Sequence, residues 1–369
     1  MISVSLCMIV RNEEKGLFRC LSTVKEIADE IIIVDTGSTD KTKEVAKSFG
    51  AKIYDFEWID HFAAARNYAF KQATQEYILW LDADDTIAKK DQTLFKELKK
   101  TLPSHIHSVT MPYNLAFDSD GNVTSSLRRN RLVRRDSNFQ WIGPVHEYLE
   151  VGGNIHHSEV CITHQKDKQH TDRNLRIYRK RAEQGEQFSP RDLYYYANEL
   201  RDHGLHREAV EYYNKFLNTA KGWVEDNIQA CLKLAECYGQ LGDKEKEFQA
   251  LCKTLQYDAP RAEFCCRIGA FFLEKNQCKE AIYWYQQAVE LPEQAENMGF
   301  TNRAYSTWLP HLQLCLCYDR IGEHLQANTH NELALKYAPS HPSMRYNRKY
   351  FKTLLGPAYS TGTGIGNKK

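Results

Sequence analysis

Apolar and polar positions follow two different rhythms along this chain of 369 residues. In the first part, short apolar runs alternate with amphipathic segments. The segments at 4–10, 30–35, 51–56 and 77–81 read as strands, that at 30–35 made of β-branched residues and that at 77–81 apolar throughout and so buried. Segments 17–27, 40–49 and 62–73 space their apolar residues for helices, and Ser38 or Thr39 is placed to cap the second. Strands alternating with helices predict an α/β domain, a mostly parallel sheet with helices on both faces. Ligands of such sheets gather at the carboxyl ends of the strands. Asn12, Asp35 and Asp82 all stand at or just after such ends, so this topology would cluster them.

After residue 105 the rhythm shortens. Segments 109–117, 131–135 and 160–164 read as strands that extend the sheet and cover its ligand cleft. Residues 118–122, Asp-Ser-Asp-Gly-Asn, read as a hairpin turn. From about residue 190 the pattern is helical and repeats. Ala197, Ala235, Gly269 and Cys315 are small residues at a position of close helix packing. Seven residues later come Gly204, Gly242, Asn276 and Gly322, suited to a helix-ending turn. Five further on come Ala209, Glu247, Ala281 and Ala327, followed by Tyr213, Leu251 and Tyr285. The interval runs from 34 to 46 residues, the longest holding an insertion around 293–305. Such units cannot bury their own apolar faces, so they must stack into a curved array with a concave groove. The expected organisation is a sheet domain over 1–180, an all-α array over 190–355 and a disordered tail over 356–369, rich in Gly, Ser and Thr.

Composition narrows the function classes. Hydrophobic residues make up 42% and charged residues 26%, as in a folded protein with a core. The net charge of +1 gives no ground for wholesale attraction to nucleic acid or to a membrane surface. The apolar run 2–10 lacks the basic start of a signal peptide, and no stretch approaches a membrane span. The 11 cysteines include no Cys-x-x-Cys pair. Buried free thiols in a reducing compartment fit this usage, and a cytoplasmic location is expected.

The chemistry concentrates where the fourth strand ends, at Leu81-Asp82-Ala83-Asp84-Asp85. Carboxylates at the mouth of a buried strand repel one another and resist desolvation. A hard cation relieves both, and Mg²⁺ or Mn²⁺ would bring phosphate oxygens of a substrate with it. A metal–diphosphate site is one reading; an acidic turn capping the next helix is the other.

Four short motifs stand in order. They are Cys7-Met8-Ile9-Val10-Arg11-Asn12-Glu13-Glu14, Ile31-Ile32-Ile33-Val34-Asp35-Thr36-Gly37-Ser38-Thr39-Asp40, Ala65-Arg66-Asn67 and the acidic segment itself. Together with Trp141-Ile142-Gly143-Pro144-Val145-His146-Glu147, they make residues 1–180 resemble a family 2 glycosyltransferase of the GT-A fold. The helical part resembles tetratricopeptide repeats. The whole is similar to bacterial enzymes that glycosylate peptides and proteins, including S-glycosyltransferases acting on bacteriocin precursors.

The resemblance implies roles. Asp35 would face the nucleotide base or ribose, although the family often has a second Asp where Thr36 stands. Asn12, Arg66, Asp82 and Trp141 would line the donor site, Trp141 either stacking on the sugar or filling the core. Arg66 would pair with the nucleotide or with Asp82, unless it is a surface salt bridge. Asp84 would be the principal ligand of Mn²⁺ or Mg²⁺, with Asp82 and His164 beside it. Asp40 reads as a helix-start residue favoured by the dipole. An inverting transfer needs a base for the acceptor, and Glu147 is the first candidate, with His146 the second. On a strand-like segment the two would point to opposite sides. The basic run 128–135 would reach a diphosphate or an acidic acceptor, or form a solvated strand face. His156-His157 reads as an exposed turn.

The expected function is metal-dependent, inverting transfer of a hexose, glucose or N-acetylglucosamine, from a UDP-sugar to Ser, Thr or Cys of a peptide or protein. The repeats would recognise the acceptor or join two copies as a homodimer. One alternative keeps the donor and changes the acceptor to a cell-envelope glycan or lipid-linked sugar. Another is a non-catalytic scaffold.

Overall fold

The computed structural model describes residues 1–118, 121, 123–165, 171–292 and 301–356. By its contacts the chain divides into two units, residues 1–116 with 126–186, and residues 117–125 with 187–369.

In the first unit, strand and helix alternate as the apolar runs dictate. The elements are β1 (Val4–Val10), α1 (Glu14–Val24), β2 (Glu30–Asp35), α2 (Thr42–Ser48), β3 (Lys52–Asp55), α3 (Phe62–Lys71) and β4 (Tyr77–Trp80). A two-residue strand β5 (Asp85–Thr86) and helix α4 (Lys89–Thr101) follow. Next come β6 (Ser108–Phe117), β7 (Val123–Arg134), β8 (Gln140–Ile142), β9 (Tyr148–Glu150), β10 (Ile155–His157), β11 (Ile162–His164) and α5 (Arg173–Glu183).

Strand order along the sheet is β3-β2-β1-β4-β7-β6-β11-β5. The first four strands run parallel, β7 is antiparallel to β4, and β11 is parallel to β6 but antiparallel to β5. The chain steps outward from β1 to β2 and β3, then crosses back through α3 to β4 on the other side of β1, which makes the C-terminal end of β1 a topological switch point. Apolar side chains of β1, β2 and β4 fill cores on both faces. One is closed by α1 and α4 through Leu17, Leu21 and Phe95, the other by α3 with Trp80 and Trp141.

Several local expectations change. No side chain of Ser38 or Thr39 caps α2; Asp40 Oδ1 accepts from the Thr42 N–H at 3.0 Å at the start of that helix. The pair His156-His157 is no turn. It forms β10, which pairs with β6, and His157 Nδ1 is 2.7 Å from Thr110 Oγ1. Of the turn at 118–122, the Gly121 N–H donates to the Asp118 carbonyl at 3.1 Å, with Gly121 at φ 83°. Ser119, Asp120 and Asn122 lie outside the described residues.

The second unit is helical. Four helical hairpins follow one another: α6 (Pro190–Asp202) with α7 (His206–Asn218), α8 (Val224–Gln240) with α9 (Lys244–Lys253), α10 (Ala262–Glu274) with α11 (Cys278–Glu290), and α12 (Trp308–Arg320) with α13 (His324–Tyr337). Helix α14 (Pro342–Leu355) packs on α13. The small residues act as their spacing demands. Ala197, Ala235 and Cys315 are buried, and a Cβ at Gly269 would come within 2.9 Å of the Tyr285 ring. Gly204, Gly242 and Gly322 end their first helices with φ between 74° and 83°, and Asn276 does the same at φ 58°. Residues 293–300 of the expected insertion, and the tail beyond Gly356, lie outside the described residues.

Candidate functional site

The C-terminal edge of the parallel strands carries the polar residues. Val10 is paired with Asp35 across β1 and β2, and Cys7 with Trp80 across β1 and β4. Asn12, Asp35 and Asp82 therefore leave the same edge of three adjacent strands.

Asn12 adopts φ 54°, its N–H donates to Ser38 Oγ at 2.9 Å, and its Oδ1 accepts from the Thr39 N–H at 2.7 Å. This ties the β1 exit to the β2 exit. Asp35 is 1% exposed, and one carboxylate oxygen accepts from the Gly37 and Ser38 N–H groups at 2.9 Å. The other oxygen is buried with no hydrogen-bond partner among the described residues. A buried acceptor without a donor is costly, so this oxygen has capacity for a ligand N–H or O–H.

The acidic segment folds back on itself. The Asp85 N–H donates to the Asp82 carbonyl, and the Asp82 N–H donates to Asp85 Oδ2, both at 3.0 Å. It does not cap the next helix, whose N-cap is Ala88. Helix α1 backs the segment closely: a Cβ at Gly16 would lie 3.1 Å from the Ala83 carbonyl.

Strand β11 then supplies the imidazole. Its register sets His164 opposite Asp85, and the Gln165 N–H donates to the Asp84 carbonyl at 2.7 Å. His164 Nδ1 lies 3.5 Å from Asp84 Oδ1, 3.9 Å from Asp85 Oδ1 and 3.1 Å from the Tyr113 hydroxyl. Hydrogen bonding to Asp84 and then Asp85 pushes the His164 pKa up to about 9.

Asp84, Asp85 and His164 form the group that could hold a metal ion, with one ligand atom from each within 4.8 Å of the others. Two carboxylates and an imidazole are a donor set for a hard or borderline divalent ion. The three are not equivalent. Asp85 is fully buried; it accepts from Tyr113 Oη at 2.8 Å, and Arg131 Nη1 lies 3.0 Å from its other oxygen. The side chains of Asp84 and His164 are 34% and 25% exposed and face solvent.

Asp82, expected beside Asp84 as a ligand, stands outside this cluster. Its Oδ1 is 2.7 Å from Arg66 Nη2. Burial works against ionisation of Asp82, but Arg66 and then Arg131 hold its carboxyl well below the usual range.

Arg66 is no surface salt bridge. It is 8% exposed, and its Nε bonds Glu147 Oε1 at 2.6 Å while Nη2 takes Asp82. Trp80 and Trp141 lie under the guanidinium at 5.0 and 4.8 Å. One planar cation thus spans the β4 exit and the segment carrying Glu147. Trp141 is 4% exposed and packs edge-on against Trp80 and Phe70. Its ring fills the core and supports Arg66, so the structure gives it no open face for a sugar.

Glu147 is placed by a small hairpin. Asn67 on α3 exchanges two hydrogen bonds with the Trp141 backbone, at 2.9 and 2.8 Å, and the Phe62 N–H donates to the Pro144 carbonyl at 2.8 Å. Between β8 and β9 the chain is not extended: Gly143 has φ 99° and His146 φ 49°. Alternation therefore does not decide where His146 and Glu147 point. The His146 ring stacks near Tyr178, with centroids 6.4 Å apart.

The basic run is neither a solvated face nor a uniform anion surface. Arg131 is completely buried, sandwiched at 3.9 Å from the Trp80 ring and 4.3 Å from the Tyr113 ring. Asp85 was read as part of the acidic segment without a role of its own, and Arg131 and Tyr113 were not read as site residues. The signal for Asp85 was present, since it ends the acidic segment; nothing local marks the other two.

Residues 5–149 match the family model described as Glycosyl transferase family 2. A TPR repeat-containing protein of Synechococcus elongatus is 39% identical over 155 residues, covering 41% of this chain and 36% of the relative. The SPbeta prophage-derived glycosyltransferase SunS of Bacillus subtilis is 27% identical over 233 residues, 59% of this chain and 54% of its own. An uncharacterized glycosyltransferase of Rickettsia typhi is 31% identical over 115 residues, 31% of this chain and 38% of its own. The chain thus spans about half, or less, of the length of these curated relatives. The family match falls within the first unit, and the second unit is an array of helical hairpins. No helix among the described residues is long and apolar enough to cross a membrane.

Proposed function

We propose that this protein is a metal-dependent, inverting glycosyltransferase that moves a hexose from a UDP-sugar to a hydroxyl or thiol side chain of a peptide or protein. The observation that carries the reading is the meeting of Asp84, Asp85 and His164 at the carboxyl edge of a parallel sheet, beside its switch point. The donor set suits Mn²⁺ or Mg²⁺, with Asp84 and His164 as the accessible ligands and Asp85 closing the group from beneath. When bound, such an ion offsets the charge that develops on a departing diphosphate.

The chain's own residues do the rest. The unpartnered oxygen of Asp35 accepts from the base or ribose. Arg66 fixes Asp82 and Glu147 relative to one another, so donor side and acceptor side share one rigid strut. Glu147 has one oxygen bonded to Arg66; the other takes the proton of the attacking hydroxyl or thiol. A thiol acceptor, partly ionised near neutral pH, depends on Glu147 less. His146 flanks this position on the same loop.

Glucose and N-acetylglucosamine are the proposed sugars, and the helical array is the proposed reader of the acceptor, since stacked repeats present an extended surface to a polypeptide. A cytoplasmic location is supported by the cysteines: all 11 are free, and the eight that are buried in helices and strands need no oxidant to persist.

The test is release of UDP from a panel of UDP-sugars by the full chain, with Mn²⁺ and with chelator, and again with Glu147→Gln. The reading expects release from one sugar donor that the chelator stops. Glu147→Gln should slow transfer to a hydroxyl acceptor by about 100-fold or more. Normal transfer by that variant would move the base elsewhere, and no release from any donor would reject the assignment.

A further inference from the structure

We infer that Arg129 receives the diphosphate of the donor as it leaves, an inference that rests on the donor-site reading above. The run 128–135 contains five arginines. Four are committed. Arg128 bonds the Ser158 carbonyl at 2.9 Å and Glu159 at 2.6 Å. Arg131 holds Asp85. Arg134 pairs with Asp136 at 2.8 Å and bonds the Ser104 carbonyl, and Arg135 bonds the Gln75 carbonyl at 2.8 Å. Arg129 has neither a hydrogen bond nor an ion pair among the described residues. Its guanidinium lies over the Tyr113 ring, 5.1 Å from the centroid.

A half-buried arginine without an anion is expensive. Burial, and then the charge of Arg131, push the Arg129 pKa down, as expected of a cation lacking a counter-ion. Tryptophan and tyrosine faces stabilise Arg131 as well, but Arg131 also has Asp85. Arg129 has the ring and only the longer-range charges of Asp82 and Asp85.

Its position is set by register. β4 and β7 pair Leu79 with Leu132, and carrying that register three residues on sets Arg129 across from Asp82, past the end of β4. Arg129 is therefore at the carboxyl edge where the donor is read to bind. The same Tyr113 whose face it covers donates its hydroxyl to Asp85 and lies 3.1 Å from His164. One aromatic ring separates the unpaired cation from the proposed metal ligands.

The chemistry asks for a charge there. As the acceptor oxygen or sulfur bonds to the anomeric carbon, the bond from that carbon to the diphosphate oxygen breaks and both electrons stay with the diphosphate. The acceptor proton goes to Glu147. A divalent ion held by Asp84 and His164 would neutralise part of the leaving group's charge, and the Arg129 guanidinium, fixed over the Tyr113 ring, neutralises more.

The test is calorimetric titration of the full chain with UDP and with UMP, both in Mn²⁺. Arg129→Gln should weaken UDP binding about tenfold or more, and UMP binding by no more than about threefold. Arg129→Lys, which keeps a cation over the ring, should lose less than Arg129→Gln. Thermal melts establish that each variant is folded. If the wild type binds UDP and Arg129→Gln binds it equally, the assignment of Arg129 falls while the donor site stands. Equal weakening for UDP and UMP, or equal loss in Lys and Gln, also overturns it. If the wild type binds no UDP, the donor-site reading fails and this inference fails with it.

Discussion

In the N-terminal unit, Arg66, Asp85 and Arg131 are buried together at one edge of a sheet. In the helical unit, most buried polar groups make single local contacts, apart from Asn198, which gathers Tyr213 and Lys233, the latter also bonding Tyr194. Asn198 accepts from Tyr213 Oη at 2.7 Å, Asn227 donates to the Gly222 carbonyl at 3.1 Å, Asn331 donates to the Met344 carbonyl at 3.0 Å, and Glu225 takes both Nη atoms of Arg261. Dispersed amides stitch one helix to the next at modest cost, because each finds a partner nearby. Converging charges are different. Burying an ion pair rarely stabilises a fold on balance, and an apolar replacement of equal volume often does better. A core that nevertheless gathers two arginines and several carboxylates at one edge has the arrangement common at ligand sites.

The comparison can be broken most sharply at Asp84. Asp84→Ala should lower metal-dependent UDP-sugar turnover by about 1,000-fold or more. The side chain is 34% exposed, so the melting temperature should move by no more than about 2 °C. Full activity in this variant, assayed by UDP release, would remove the acidic edge from the mechanism.

Next in size is the buried pair itself. Arg131→Met leaves Asp85 charged and unpaired, and should cost about 3–5 kcal/mol in denaturant unfolding. The double variant Arg131→Met with Asp85→Leu should lose less stability than the single one. If the double variant is as unstable as the single, the pair matters for packing and not because an orphaned charge is left behind.

A smaller effect should appear in the helical unit. His311 and His330 stack with their Nδ1 atoms 3.0 Å apart between α12 and α13. Burial, and then His311, push the His330 pKa down to about 4. The unfolded chain takes up that proton near the ordinary value of about 6.5. The contribution is therefore intact above that value and is lost as pH falls toward 4. Stability should drop by about 1–2 kcal/mol between pH 7 and pH 5, and His330→Gln should remove most of this slope. Melts at the two pH values measure it, and an unchanged slope in the variant would place the acid sensitivity elsewhere.

The smallest prediction concerns a turn. Asn276 stands where the other three hairpins have glycine, all with positive φ. Asn276→Gly should be neutral to stabilising by about 0.5 kcal/mol. A loss of more than about 1 kcal/mol would show that Asn276 contributes through its side chain and not through the turn.

The two units also differ in how far their sequence could be read. Repeats repeat, so Gly204, Gly242 and Gly322 mark their turns within one local register. In the sheet unit the apolar runs marked the parallel strands, and Asp35, Asp82 and Asp84 were visible as strand-end carboxylates. Helix α4 was not singled out, because its apolar residues are few among lysines. Strand β7 was read only at 131–135, since its first half alternates polar residues without an apolar face. Arg131 was misread because burial of an arginine depends on partners that arrive from elsewhere in the chain: Asp85, Trp80 and Tyr113. Likewise the separation of Asp82 from Asp84, Asp85 and His164 goes with its pairing to Arg66, whose reach to both Asp82 and Glu147 exists only in the folded chain.

The central claim is that the carboxyl edge bearing Asp84, Asp85 and His164 is a divalent-metal site for a sugar nucleotide. Calorimetric titration of the full chain with UDP-glucose, UDP-N-acetylglucosamine and related donors, in Mn²⁺ and in chelator, tests it most directly. The account predicts saturable binding of one donor in Mn²⁺ that is lost in chelator. Binding indifferent to chelator, or no binding of any UDP-sugar, would contradict it.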